Sequence, residues 1–503
     1  MRQKYLIIVV LQFLIRTTIQ LDTYSESLLI YQLANNFYIN NFTFNYELVS
    51  EKSKSILKRL DYFPIQFEKF LHLNPELKSI ELDLVQGRFQ ENALKKVTQF
   101  SNQQYDLPNF KYKEPGLTMK MQMRNNGVMS EELQEKTYGF LSSIFSLGIF
   151  EKRGDQMKLT DQEGYSFYYY SKPYEPYCKE NLQFLLKHLR STVFESGISS
   201  LLNDDTYNLS PYKHLSVKIE HKPDTKAMII NFDVIYMSQN VDKKNSLESL
   251  LQIKGDYKII RCAVCTDSKI QLATQDNNNH KTLYNFKEVS LTEALPLRMI
   301  KYDKNIYSDV ELQVKQIESE RYVSDLHFAK EGTLFHKIKN NMNTDQADLV
   351  IQEYLPNFLR PFIHTAKYFI KDLESGKVIE KRLGATQLSI EYDEMSSSII
   401  KIKNLQIPAQ SEILISIRIR KHLNMFEDYP NDPNRGFNIP QMPILFKAAN
   451  QSKWSETYSK SLLVQTIEPD FSMPFNVNAV TNALLGFMII NTFNTVVKAK
   501  RFV

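Results

Sequence analysis

Apolar and polar residues alternate with a period of two over many short stretches of this chain. In SIELDLVQGRF (Ser79 to Phe89), Ile80, Leu82 and Leu84 alternate with Glu81, Asp83 and Val85, the pattern of a half-buried strand that stops at Gly87. GLTMKMQM, from Gly116, repeats it. From about Tyr212 strands dominate: HLSVKIEHK, KAMIINFDVIYMS, YKIIRCAVCT, TQLSIEYDE and SIIKIKNLQIPAQSEILISIRIRKHL alternate or run β-branched and aromatic between polar turns. A helical period replaces this in SEELQEKTYGFLSSIFSLGIF, where Ser130 stands as N-cap, Glu131 and Glu132 fill the first turn, and Leu133, Tyr138, Leu141, Ile144 and Phe145 fall near helical spacing. The expected fold is α+β, a mainly β body of antiparallel, sandwich-like sheets with some helices.

Two longer apolar runs lie at the ends. Arg2 and Lys4 precede Leu6 to Ile15, a run that suits the core of a signal peptide and is too short for a bilayer of about 30 Å. A cut between about Thr17 and Asp22 is expected, with an uncleaved anchor or a buried cytosolic strand as alternatives. Val477 to Val497 carries no charge and is long enough to span, and Lys498, Lys500 and Arg501 follow it. The expected organisation is a signal peptide at 1–20, a mixed α/β luminal region at 21–210, a β-rich luminal region at 211–470, a transmembrane helix at 477–497 and a cytosolic tail at 498–503. A GPI-anchor signal would also end in a hydrophobic tail, but the polar residues of the span and the basic terminus count against it.

That span is unusually polar: it holds Asn478, Thr481, Asn482, Asn491, Thr492, Asn494 and Thr495. On a helical wheel, Asn478, Thr481, Asn482 and Thr492 fall within about 100° of arc. Membrane helices use small and amide side chains to pack against neighbours, and Gly486 offers a place for close approach. An assembly helix is expected, with interfacial residues tolerated on a tilted anchor as the alternative.

Composition removes several function classes. With 62 basic against 57 acidic side chains, no net field favours nucleic acid, and 14 glycines are few for a Gly-rich cofactor fold. No Gly-x-Ser-x-Gly elbow, His-Glu-x-x-His pair or phosphate-cradling loop occurs, and no two of the nine histidines stand at helical metal spacing. Neither a cofactor, a metal nor a catalytic residue is expected. Among the sequons, Asn41 and Asn450 are glycosylation candidates, while Asn208 is followed by Pro211.

There are three cysteines, too few for a disulfide framework. Reading YKIIRCAVCT as a strand puts Cys262 and Cys265 about 10 Å apart on opposite faces, so two buried thiols are expected rather than a bond. Cys178, ahead of the amphipathic stretch KENLQFLLKHL, suits either an intermolecular link or a buried free thiol.

Several segments then resemble one known family. ERYVSDLHFAKEGTL (Glu320 to Leu334), YLPNFLRPFIHT (Tyr354 to Thr365), DPNRGFNIP (Asp432 to Pro440) and above all PDFSMPFN (Pro469 to Asn476) are similar to the PIG-T subunit of the GPI transamidase in order, spacing and the position of the last motif before a span. Weaker echoes lie in LVQGRFQ, LSSIFSLGIF and CKENLQFLLKHLRSTVFESGISSLL. The resemblance implies a non-catalytic subunit of an endoplasmic-reticulum membrane complex that attaches GPI glycolipid to proteins. Its implied partners are a caspase-like catalytic subunit, the other transamidase membrane subunits and the GPI glycolipid. It also implies an interchain disulfide from Cys178 to the catalytic subunit; a second family cysteine has no counterpart, since LLKHLRS offers His188. Pro469, Asp470, Phe471, Ser472, Met473, Pro474, Phe475 and Asn476 would then set the approach to the membrane, and Asn478 and Asn482 would contact subunits or glycolipid. The rival readings are an independent luminal cysteine hydrolase using Cys178, and a type I cell-surface β-sandwich adhesion protein.

Overall fold

A computed structural model describes residues 22–33, 37–48, 65–87, 105–106, 113, 115–123, 131–145, 156–162, 165–172, 197–202, 204–222, 227–240, 246–253, 258–260, 262, 265–273, 280–286, 294–301, 313–314, 316–324, 330–342, 347–373, 375–384, 386–392, 397–422, 436–449, 454–465 and 472–499. Ten strands form the first sheet: β1 (Thr23–Gln32), β2 (Phe37–Leu48), β3 (Leu77–Gly87), β4 (Gly116–Met123), β5 (Gln156–Gln162), β6 (Tyr165–Lys172), β7 (Tyr212–Lys222), β8 (Ala227–Gln239), β9 (Asp267–Ala273) and β10 (His280–Asn285). Their spatial order is β10-β9-β1-β2-β8-β7-β3-β4-β6-β5. β1 and β9 run parallel; the other neighbours are antiparallel.

The period-two pattern sorts the two faces of this sheet. Leu28, Phe42, Phe44, Ile80, Leu82, Leu84, Ile230 and Phe232 point one way and are buried. Helices α1 (Ile65–Leu73) and α2 (Glu131–Phe145) cover them with Phe67, Phe70, Leu133 and Leu141. The rings of Phe70 and Phe140 stack at 4.1 Å, and Phe67 meets Phe232 at 6.4 Å. Each such side chain contributes roughly 1.5–3 kcal/mol by leaving water. α2 begins at Glu131, as the acidic first turn predicts; Ser130 lies outside the described residues.

The second unit is a sandwich of two five-stranded antiparallel sheets. Its strands are β11 (Ile317–Ser324), β12 (Glu331–Asn340), β13 (Ala347–Leu355), β14 (Leu359–Asp372), β15 (Val378–Arg382), β16 (Leu388–Tyr392), β17 (Ser398–Ile407), β18 (Ser411–Lys421), β19 (Phe437–Ile439), β20 (Pro443–Ala448), β21 (Ser455–Tyr458) and β22 (Leu462–Val464). One sheet runs β11-β12-β18-β14-β15, the other β16-β17-β13-β20-β21, and β19 pairs with β22 as a ribbon. Ile413, Ile415, Ile417 and Ile419 from one sheet and Ile351, Ile400 and Ile402 from the other share one core. Last comes α3 (Ser472–Ala499).

The fold class is thus α+β with a majority of strands in antiparallel, sandwich-like sheets and one long apolar terminal helix. The division expected at residue 210/211 differs from the structure. β7 and β8 fill the centre of the first sheet, and their buried residues belong to its core, so the change of core falls between Ile300 and Ile317. The onset of strand-rich sequence near Tyr212 marks the return of the chain to a sheet already begun.

Candidate functional site

α3 is where sequence and structure most directly suggest a binding surface. Among the described residues it is the one helix long and apolar enough to cross a membrane, from Asn476 to Lys498. At about 1.5 Å per residue such a segment reaches about 35 Å. Pro474 lies in its first turn, where a missing N–H costs nothing. None of the span is buried against the rest of the chain. Its threonines satisfy themselves: Thr481, Thr492 and Thr495 donate their hydroxyls to the carbonyls of Val477, Met488 and Asn491 at 2.7, 2.8 and 2.8 Å. Asn478 and Asn482, four residues apart, are exposed on the same stripe. A Cβ added at Gly486 would meet nothing within 4 Å, so the chain's own fold does not use this glycine for close approach.

The chain reaches α3 through a braced ribbon. Gly436 sits at φ +83°, and a Cβ there would lie 2.6 Å from the Val464 carbonyl, so β19 and β22 approach closely only because this residue is glycine. Ser459 donates its N–H to the Met442 carbonyl at 3.0 Å and its hydroxyl oxygen accepts from the Met442 N–H at 3.0 Å. At the centre lies Arg321 of β11. Its guanidinium donates to Glu353 of β13 at 2.5 Å and to the carbonyls of Pro440, Lys460 and Ile439 at 2.6, 3.2 and 3.3 Å. Phe358 packs on Phe437 with ring centres 4.6 Å apart. Three of the four segments that carry the family resemblance, ERYVSD, YLPNFLRPF and GFNIP, therefore meet at one buried point just ahead of the span.

Electrostatics at this point are set by burial. Burial pushes the Glu353 carboxyl up to about 7 against the pull of Arg321. Burial and then Arg321 push His336, whose Nδ1 lies 3.6 Å from the same carboxylate, down to about 3. Sequence reasoning passed over Arg321, Glu353 and His336. The available signal was that Arg321 shares its strand face with Ile317, Ser319 and Val323, a face too apolar for a solvated charge.

A second polar cluster joins the two units. On the face of the first sheet away from the helices, His214 and Asp83 lie 3.0 Å apart, Lys113 bridges Asp83 and Glu81, and Thr43 donates to Asp233 at 2.7 Å. Lys120 of β4 crosses to Glu456 of β21 at 2.5 Å and lies 5.0 Å from the Tyr458 ring centre. Burial would raise Glu456, but the Lys120 charge and hydrogen bond outweigh it and hold this carboxyl below its ordinary range.

The other expected residues fall as follows. Cys178, Pro469, Asp470, Phe471 and Asn450 lie outside the described residues. Ser472, Met473, Pro474 and Phe475 form the first turn of α3, and Asn476 opens the span. Asn41 stands half-buried in mid-strand on β2, between Leu29 and Ile235. The expectation of two separate thiols is corrected: Cys262 and Cys265 form a disulfide with Cα atoms 5.4 Å apart. The strand of that segment ends at Ile260, so the extended spacing that would keep the sulfurs apart does not apply.

Comparison with known proteins agrees with the motifs. Residues 237–503 match the family described as "Gpi16 subunit, GPI transamidase component". The "GPI transamidase component PIG-T homolog" of Schizosaccharomyces pombe is 22% identical over 369 residues, 67% of this chain and 64% of that protein. The human "GPI-anchor transamidase component PIGT" is 22% identical over 397 residues, 66% of each. The chain thus spans 64% and 66% of the lengths of these two relatives. Among solved structures, the collagen-binding Enterococcus faecalis MSCRAMM ACE aligns over 88% of this chain at 6% identity and a TM-score of 0.22, too slight a likeness to argue from.

Proposed function

This chain belongs to the Gpi16 family of GPI transamidase components, and on that footing we propose that it is a non-catalytic structural subunit of the endoplasmic-reticulum GPI transamidase complex. Its two β units brace the caspase-like catalytic subunit on the luminal side, Cys178 forms the covalent link to that subunit, and α3 crosses the membrane once to pack among the other membrane subunits around the GPI glycolipid. The observation that carries this reading is the exposed amide stripe of α3. A buried amide without a partner costs about 1–3 kcal/mol, so Asn478 and Asn482 in lipid require donors and acceptors from elsewhere. Nothing in their own chain supplies them among the described residues, and neighbouring helices or a polar headgroup would.

The test replaces both amides. Asn478→Leu with Asn482→Leu leaves membrane insertion intact and reduces recovery of the other transamidase subunits in a detergent pull-down several-fold. Undiminished recovery together with full anchor-attachment activity would reduce α3 to a plain anchor. For the covalent link, Cys178→Ser removes a high-mass band on non-reducing gels while assembly weakens only in part; an unchanged band assigns the link to another residue.

A further inference from the structure

Beyond the helix and its brace, one buried cluster has the parts of a reactive site. Glu26 of β1 points into the core of the first sheet, where it is 2% exposed. Its Oε1 accepts from the Ile198 N–H at 2.8 Å and the Ser268 hydroxyl at 2.7 Å, and its Oε2 lies 3.4 Å from the Ser199 N–H. Gly197, at φ +90°, makes this fit possible, because a Cβ there would stand 2.3 Å from Oε1. Beside the carboxyl lies the Cys262–Cys265 disulfide, with both sulfurs and a carboxyl oxygen within 4.8 Å of one another. Cys262 is buried and Cys265 half-buried. A stapling disulfide does not require a titratable carboxyl at its side, and burying one is costly even when it is hydrogen-bonded.

We propose that Cys262, Cys265 and Glu26 form a thiol–disulfide exchange site for a dithiol, in which Glu26 carries the proton of the buried sulfur. A thiolate of the substrate attacks Sγ of Cys265, the more accessible sulfur, forming a mixed disulfide as the Cys262–Cys265 bond breaks. Cys262 leaves with the electron pair, and because a thiolate buried among apolar residues is costly, it takes the proton of Glu26. The second substrate thiol loses its proton to solvent and attacks its own partner sulfur. The substrate departs as a disulfide, Cys265 leaves as a thiolate and is protonated by water, and Glu26 recovers a proton from solvent. Two electrons and two protons have then passed from the dithiol to the cysteine pair, and the reverse sequence returns them, reducing a substrate disulfide as the Cys262–Cys265 bond re-forms.

The surroundings of Glu26 are consistent with that role. Burial pushes its carboxyl up to about 7, with the hydrogen bonds of Ser268, Ile198, Ser199 and Tyr24 pulling the other way, so both protonation states are accessible near neutrality. Phe44 stands opposite it on β2, and Tyr24 and the two cysteines are the titratable groups that face it among the described residues. Asp267 and Lys269 flank Ser268 on β9 but alternate to the other face, where they pair at 2.7 Å.

The test uses the full chain in its detergent-solubilised complex, with dithiothreitol as the probe. Reduction of the Cys262–Cys265 pair is followed by acid quench, maleimide labelling and mass spectrometry, and each rate is divided by that of a small-molecule disulfide at the same pH. For the native protein this ratio should fall as the pH rises through about 7 and the proton donor is lost. Glu26→Gln should lower it at least about 10-fold at pH 6 and flatten its pH dependence. Ser268→Ala, which removes a bond favouring the carboxylate, should shift the inflection upward and leaves a readout if the glutamine variant does not fold. A pair that resists dithiothreitol until the protein is denatured overturns the proposal, as does a ratio unchanged by either variant.

Discussion

Replacing Arg321 with leucine is expected to destabilise the second unit by about 3–5 kcal/mol, the usual cost of removing one partner from a buried, hydrogen-bonded charge cluster. One side chain serves four acceptors, so its loss removes a donor at once from the carbonyls of Ile439, Pro440 and Lys460 and from the Glu353 carboxylate. Arg321→Lys recovers less than half, because a single ammonium cannot fork in these directions. For a unit of this size the melting temperature of the solubilised chain should drop by roughly 10 °C. Protease cleavage should appear first in the ribbon ahead of α3. A shift within a degree or two would mean that the ribbon is held by its apolar contacts alone.

The same cluster has a hidden pH response. In the unfolded chain Glu353 titrates near 4.5 and His336 near 6.5; folded, they move to about 7 and about 3. Between 4.5 and 6.5 the folded state therefore holds one proton more at Glu353 and one fewer at His336, and the two effects on stability cancel. Glu353→Gln exposes the histidine. That variant binds more protons unfolded than folded below 6.5, so its stability should decline as the pH falls toward 3, more steeply than that of the parent chain.

The second large effect concerns the joint between the units. A double-mutant cycle with Lys120→Met and Glu456→Gln should give a coupling of about 2 kcal/mol, within the range measured for close charge pairs across interfaces. Either single change should weaken the joint enough to split unfolding into two separate transitions in calorimetry, since it removes the ion pair that crosses between the two cores. Asp83 and Glu456 are both held below their ordinary range, burial opposing and neighbouring Lys113 and Lys120 prevailing. Such carboxylates stabilise above about 4.5 and lose that contribution as they take up protons below it. Acidification should therefore separate the units before it unfolds them. Additive single mutants and one undivided transition would remove the pair from any role in the joint.

The elements were largely legible in the sequence, and the assembly of those elements was not. Ile80, Leu82 and Leu84 mark β3, and the Ile-rich SEILISIRIRK marks β18, because alternation is a local property. Which strands pair is decided by contacts far apart in sequence, so the entry of β7 and β8 between β2 and β3 left no trace, and a boundary was expected at 210/211 instead. The candidate site divides in the same way. Asn478 and Asn482 stand out within an apolar run wherever the helix ends up. Arg321 looks like any strand charge until Glu353 and three carbonyls are brought around it from other segments.

The order of the first sheet also governs how this chain can be made. Two groups of strands pair with near neighbours in sequence: β1 with β2, and β3 with β4, β6 and β5. They share no edge until the β7–β8 hairpin is synthesised and inserted between them, with β8 on β2 and β7 on β3. Until then both edges are unpaired and the apolar face that α1 and α2 cover is split in two. The hairpin is a keystone, and during translation the nascent amino-terminal half is a template for wrong partners, dependent on whatever chaperones attend its synthesis. Lesions in Tyr212–Lys222 or Ala227–Gln239 should therefore reduce yield more than they reduce the stability of the molecules that do fold.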